Sequence, residues 1–261
     1  MQAIGFFDSG VGGLSIWREA VALLPGESTV YLADNAHCPY GAKTEAEIIE
    51  RGKANTDFLL SKGCGLIVVA CNTATAAAID FLRSRYACPF VGLEPAIKPA
   101  SMKSRTHKIG VLATGETLRG RLFQGTAAQL RPGTEILVKS VQGWVEAVER
   151  GETMPTPATL ELVRSQIEPL LEQGVDSLVL GCTHFPFLRD AIARIAGPGV
   201  SLYDPAKAVA RQIAKLLRTS AVPRKAGTPV HSFHCTGSPA PLELMLDKLL
   251  PGHPTVSVEK F

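Results

Sequence analysis

Val68-Val69-Ala70-Cys71-Asn72-Thr73 and Leu178-Val179-Leu180-Gly181-Cys182-Thr183-His184 lie far apart in the chain yet have the same form. In each, an unbroken apolar run stops at a thiol followed by small polar groups. An apolar run without alternation reads as a strand buried on both faces, the environment of a parallel sheet covered by helices. In open α/β sheets, ligands bind beyond the C-terminal ends of the strands. The two runs therefore predict an α/β fold in which two cysteines face one site.

The rest of the chain supplies the alternation such a fold requires. Ile4-Gly5-Phe6-Phe7 reads as the first strand, ending in the glycine-rich turn Asp8-Ser9-Gly10-Val11-Gly12-Gly13. Leu14, Trp17, Val21 and Leu24 have helical spacing and stop at Pro25-Gly26. Thr29 to Ala33 is a second strand. Thr44, with Glu47 three residues on, is a capping box opening a helix to about Ser61. Gly65 to Ala70 is a strand, Asn72 opens an alanine-rich helix, and Phe90-Val91-Gly92 is a short strand.

The second half repeats the rhythm, with strands at Lys108 to Ala113, Glu135 to Lys139, Ser177 to Gly181 and Val200 to Tyr203. Helices are expected over Thr114 to Leu130, Thr156 to Glu172 and Pro205 to Leu217. Val230 to Cys235, Ala240 to Leu250 and Thr255 to Glu259 close the chain as strand, helix and strand, and Thr219 to Thr228 reads as a loose surface linker. The expectation is an α/β protein of two pseudo-symmetric three-layer domains, with mainly parallel sheets and the site in the cleft between them.

Composition narrows the function. The chain is 261 residues long and 46% hydrophobic, enough for a real core, and its net charge is only +3. Its basic residues are scattered and not interleaved with aromatics, so no nucleic-acid partner is expected. No apolar run approaches the length of a membrane helix, and the first residues lack the charged and apolar regions of a signal peptide. The expected location is the cytoplasm, where the six cysteines stay as thiols. No CxxC pair supports a zinc knuckle or a thioredoxin-type motif.

Each motif has a plainer reading to weigh. The glycine turn between strand and helix invites a dinucleotide, with Asp34 where a ribose-binding acid would sit. But Ser15 replaces the third glycine, and Asp8 brings negative charge to the phosphate position. The turn is better suited to projecting Asp8 and Ser9 into a cleft. Cys64, Cys88 and Cys235 read as small buried hydrophobes, and Cys38, in a polar loop, is left open. Cys71 and Cys182 each precede a helix start, which favours thiolate. His184 is close enough to exchange a proton with Cys182. His231 and His234 resemble a metal pair, but strand geometry sends them apart.

Two thiols at one site fit a reversible disulfide or acid–base work at carbon. Inverting a stereocentre needs a base on one face and an acid on the other. Neutral donors around the cysteines (Ser9, Asn72, Thr73, Thr183) suit a carboxylate-bearing substrate. No lysine stands in a recognisable pyridoxal phosphate context, so a cofactor-free reaction is expected.

The motifs together resemble glutamate racemase, a cofactor-independent enzyme of the Asp/Glu racemase superfamily that makes D-glutamate for peptidoglycan. The resemblance runs from Phe7-Asp8-Ser9-Gly10 through Pro39-Tyr40-Gly41, both cysteine motifs and Phe185-Pro186 to Thr236-Gly237-Ser238-Pro239. It implies that Cys71 acts on D-glutamate and Cys182 on L-glutamate, with Asp8 assisting Cys71 and His184 assisting Cys182. Glu149 falls where the family carries another supporting acid. Substrate contacts are implied for Asp8, Ser9, Tyr40, Gly41, Cys71, Asn72, Thr73, Thr117, Cys182, Thr183 and His184. No cofactor or metal is implied, and the family is often dimeric. The resemblance also divides the chain into a discontinuous domain, 1–96 plus 206–261, and a second, 97–205. The nearest rival is an aspartate or hydantoin racemase of the same fold. A redox-regulated binding protein is the rival of another class.

Overall fold

The computed structural model describes residues 3–114, 130–219 and 228–261. Six strands form one sheet: β1 (Ala3–Asp8), β2 (Thr29–Ala33), β3 (Cys64–Val69), β4 (Phe90–Val91), β9 (His231–Cys235) and β10 (Ser257–Val258), in the order β10-β9-β2-β1-β3-β4. A second sheet takes β5 (Lys108–Ala113), β6 (Glu135–Ser140), β7 (Ser177–Leu180) and β8 (Ser201–Tyr203), in the order β6-β5-β7-β8. Every pairing in both sheets is parallel.

The two cysteine-bearing runs are β3 and β7, and β7 is buried at every residue. Helices make that burial possible. α1 (Leu14–Leu23) leaves the glycine turn, and α8 (Ala206–Thr219) packs against it. The buried face of α8, Ala206, Val209, Ala210, Ile213, Ala214 and Leu217, has the three-and-four spacing of an amphipathic helix. α2 (Glu45–Ser61) starts at the expected capping box, with Glu47 N–H donating to Thr44 Oγ1 at 3.3 Å and Thr44 N–H to Glu47 Oε2 at 2.8 Å. Such a cap stabilises by about 1 kcal/mol. α3 (Asn72–Arg85) follows β3, α6 (Pro157–Leu171) precedes β7, and α9 (Ala240–Leu249) separates β9 from β10.

Three helices lie where the sequence pattern gives no helix. α4 (Ile97–Lys103) is seven residues long, has no side-chain cap and carries Pro99 in its first turn. α5 (Trp144–Glu149) has six residues and starts after Gly143, whose φ of 78° breaks the run from β6. α7 (Arg189–Ala196) buries only Ala191 and Ile192. The expected helix over 114–130 falls almost wholly outside the described residues, as does most of the linker over 219–228.

Candidate active site

β1 delivers Asp8 to the C-terminal edge of the first sheet, and the chain turns through 9–13 into α1. The Asp8 carboxylate is fully buried and accepts the Ser9 N–H at 2.7 Å and the Gly13 N–H at 2.6 Å. Thr183, from the second sheet, donates its hydroxyl to the same carboxylate at 3.3 Å. Tyr31 on β2 fixes the turn from below by donating to the Gly10 carbonyl at 2.8 Å. The glycines are explained by close approach. A Cβ on Gly10 would lie 2.8 Å from Glu149 Cδ, and one on Gly12 would lie 2.6 Å from His184 Cε1 and 2.7 Å from Thr183 Oγ1. Side chains of the second half thus occupy the space where a dinucleotide phosphate would have to sit.

Cys71 lies just past β3 and is the N-cap of α3, accepting the Ala74 N–H at 3.5 Å. Its own S–H points to Ser9 Oγ at 4.0 Å. The helix start was expected to favour thiolate here, and the structure reverses that expectation. Burial first, and the charge of Asp8 second, push the Cys71 thiol well above its ordinary range, against the weaker pull of the Ala74 N–H. Burial likewise raises the Asp8 carboxyl, offset in part by the charge of His184 and by hydrogen bonds from Cys71, Ser9 and Gly13. The two groups are buried together, so a second negative charge on the pair is strongly disfavoured.

Cys182 follows β7 by two residues, and a short 3-10 turn, Phe185–Leu188, takes the place of the expected helix start. His184 Nδ1 lies 3.7 Å from Cys182 Sγ, and its Nε2–H donates to Glu149 Oε1 at 2.7 Å. Glu149, at the end of α5, also accepts the Val11 N–H at 2.8 Å. Burial alone would keep His184 neutral. Hydrogen bonds to Cys182 and Glu149, reinforced by their charges, outweigh it and hold the imidazole well above its ordinary value. The second thiol therefore sits against an imidazole braced by a carboxylate.

Both thiols line one pocket, with Ser9, Tyr40, Gly41, Asn72, Thr73, Thr183 and His184 around them. Asp8 and Glu149 stand behind the wall, each touching a residue that faces the pocket. Thr117 lies outside the described residues. Tyr40 lines the pocket, but its hydroxyl is already engaged by Asp34 and by Asn55 at 3.1 Å. Pro39, Thr114 and Val145 complete the wall; Pro39 belongs to a motif of the resemblance but was not among its substrate contacts, and nothing in the sequence pattern singled out the other two. Thr114 was legible only as the start of an expected helix, and Val145 belongs to the unforeseen α5. The space between the walls is about 10 Å³, room for one water at most. Asn72 is buried with neither amide atom partnered, a costly arrangement that a ligand's polar groups would relieve.

Other candidates fall away from the site. Asp34 is an anchor: Arg51 donates to it at 2.8 and 3.0 Å and Thr236 at 2.8 Å, joining the ends of β2 and β9 to α2. His231 bonds Thr29 and His234 bonds Glu259, so the two histidines diverge as strand geometry predicts. All six cysteines are free thiols.

The sequence profile of the Asp/Glu/Hydantoin racemase family matches residues 14–213. The chain belongs to that family. Among its relatives, the glutamate racemase of Methylococcus capsulatus is 45% identical over 237 residues, 91% of this chain and 87% of that protein. The glutamate racemase of Ralstonia pickettii is 43% identical over 247 residues, 95% of this chain and 87% of that one. The crystal structure of Escherichia coli glutamate racemase, in complex with L-glutamate and the activator UDP-MurNAc-ala, matches with a TM-score of 0.88 at 32% identity. That match covers 100% of this chain and 99% of the other. No helix among the described residues of this racemase-family chain is long and apolar enough to cross a membrane.

Proposed function

We propose that the protein interconverts L- and D-glutamate by moving protons between the α-carbon and two thiols, and so supplies D-glutamate for peptidoglycan. One observation carries the reading: two cysteines from two different sheets line one pocket, and each has its own proton-handling partner. From L-glutamate, the Cys182 sulfur takes the α-proton on one face, and the Cys71 S–H delivers a proton on the other. The burial that keeps Cys71 protonated suits it to that delivery. The reverse reaction exchanges the roles. His184, braced by Glu149, serves Cys182, and Asp8 serves Cys71. Ser9, Asn72, Thr73 and Thr183 are the polar contacts for the substrate, and Tyr40 and Gly41 shape its wall.

Glutamate rather than aspartate or a hydantoin is favoured by the chain's identity to glutamate racemases over most of its length. The narrow free space implies that the two walls part to admit an amino acid. We also assign 1–96 with 206–261 to one domain and 97–205 to the other, in line with which strands each sheet takes. A homodimer and a cytoplasmic location complete the reading. Light scattering on the purified protein tests the dimer. Incubation with D-glutamate, without added cofactor, tests the activity through loss of optical activity. Turnover of aspartate but not glutamate would overturn the substrate assignment.

A further inference from the structure

Cys38, Glu149 and His184 come from three separate segments, and each brings one donor atom into the same cluster. Cys38 Sγ, a carboxylate oxygen of Glu149 and a ring nitrogen of His184 all lie within 4.8 Å of one another. The Glu149 Oε1 to His184 Nε2 edge is 2.7 Å and the Cys38 Sγ to Glu149 Oε1 edge is 3.9 Å. Tetrahedral zinc, with bonds of about 2.0–2.3 Å, spaces its donors roughly 3.3–3.8 Å apart. The Cys38–Glu149 edge is near that spacing, and the His184–Glu149 edge must open by less than about 1 Å. Cys38 and Glu149 are only partly buried, whereas His184 is buried.

The reaction proposed above gives Cys38 no role, although it was the cysteine whose purpose the sequence left open. Sulfur, imidazole and one carboxylate together are a donor set for zinc. Magnesium and calcium call for oxygen donors throughout.

We propose that Cys38, Glu149 and His184 form an inhibitory site for Zn²⁺ or a similar thiophilic divalent ion, with the fourth coordination position left to solvent. Binding forms Zn–S, Zn–O and Zn–N bonds and releases the Cys38 thiol proton and the His184 Nε2 proton to water. No electron is transferred. The ion replaces the Nε2–H to Glu149 hydrogen bond and so removes the bracing behind Cys182. Inhibition follows without any contact between the ion and either catalytic sulfur.

The test uses the whole protein and metal alone, before any substrate. Zn²⁺ affinity is measured by calorimetry, and Co²⁺ replaces Zn²⁺ as an optical probe whose thiolate-to-metal band reports a bound sulfur. Loss of an outer-shell partner already weakens metal sites by about 10–100-fold, so Cys38→Ser should cost at least roughly tenfold and abolish the band. Cys182→Ser should leave both unchanged. In turnover assays, Cys38→Ser should retain the metal-free rate and lose sensitivity to Zn²⁺, and Cys38→Ala should behave alike. Wild-type affinity in Cys38→Ser, or a band that disappears only with Cys182→Ser, would overturn the site.

Discussion

Replacing Glu149 by glutamine keeps the side chain's length and an oxygen for the Val11 N–H, and removes only the charge facing His184. That oxygen is 2.7 Å from Nε2, in a pair whose side chains are 2% and 16% exposed. A hydrogen bond to a charged partner contributes about 1.5–3 kcal/mol. At 1.36 kcal/mol per unit, its loss should lower the His184 titration by roughly one to two pH units. Burial, which already favours the neutral ring, then weighs more heavily. The assay is imidazole ¹⁵N NMR of the substrate-free protein, with His184 assigned by its absence in His184→Gln. In parallel, kcat/KM should fall about 10–100-fold at neutral pH, equally for both enantiomers, because these have the same free energy. The stability this pair contributes is complete below about pH 6.5 and is lost as pH rises through the elevated folded value. In Glu149→Gln the contribution should be smaller and fully lost at lower pH. A His184 titration that stays in place, with unchanged turnover, would refute the bracing role.

Asp8→Asn keeps the size of the side chain and should reduce kcat far more than it raises KM. Normal turnover with weakened binding would make Asp8 a substrate-positioning residue. Gly12→Ala places a methyl group against His184 and Thr183 Oγ1, and should yield a folded protein with less than about a tenth of the activity. Full activity would mean that the turn can yield. Asp34→Asn breaks a buried ion pair with Arg51 and should cost about 3–5 kcal/mol in urea unfolding. The hydrogen bonds from Arg51, Tyr40, His37 and Thr236 overcome burial and lower the Asp34 carboxyl. Its contribution is therefore present above about pH 3.9 and lost as pH falls through the folded value, so the wild type and Asp34→Asn should converge in acid.

What could be read from the sequence was whatever a local pattern enforces. The apolar runs before Cys71 and Cys182 had to be buried strands, and Thr44 with Glu47 had to open a helix. α4, α5 and α7 escaped because short helices without caps gain their stability from packing, and no local pattern records that. The glycine turn was legible as a turn, but its purpose was not. Gly10 and Gly12 are small to admit Glu149 and His184, which lie far along the chain. The protonation of Cys71 was misjudged for a related reason. A helix start is visible in sequence, whereas full burial beside Asp8 is a tertiary fact and the stronger effect. Cys38 beside Glu149 had no sequence signal at all.

Two thiols working on opposite faces of one α-carbon must both be present for inversion, so each is replaced in turn. Deuterium incorporation into separate enantiomers of glutamate is followed by NMR in heavy water, with chirality checked independently. Inversion needs both an acid and a base, so Cys71→Ala and Cys182→Ala should each abolish racemisation in both directions. Any residual exchange in Cys182→Ala should be confined to D-glutamate, through Cys71, and in Cys71→Ala to L-glutamate. Residual exchange on the opposite enantiomers would keep two bases and reverse their faces. Substantial racemisation by either variant would contradict the two-thiol account.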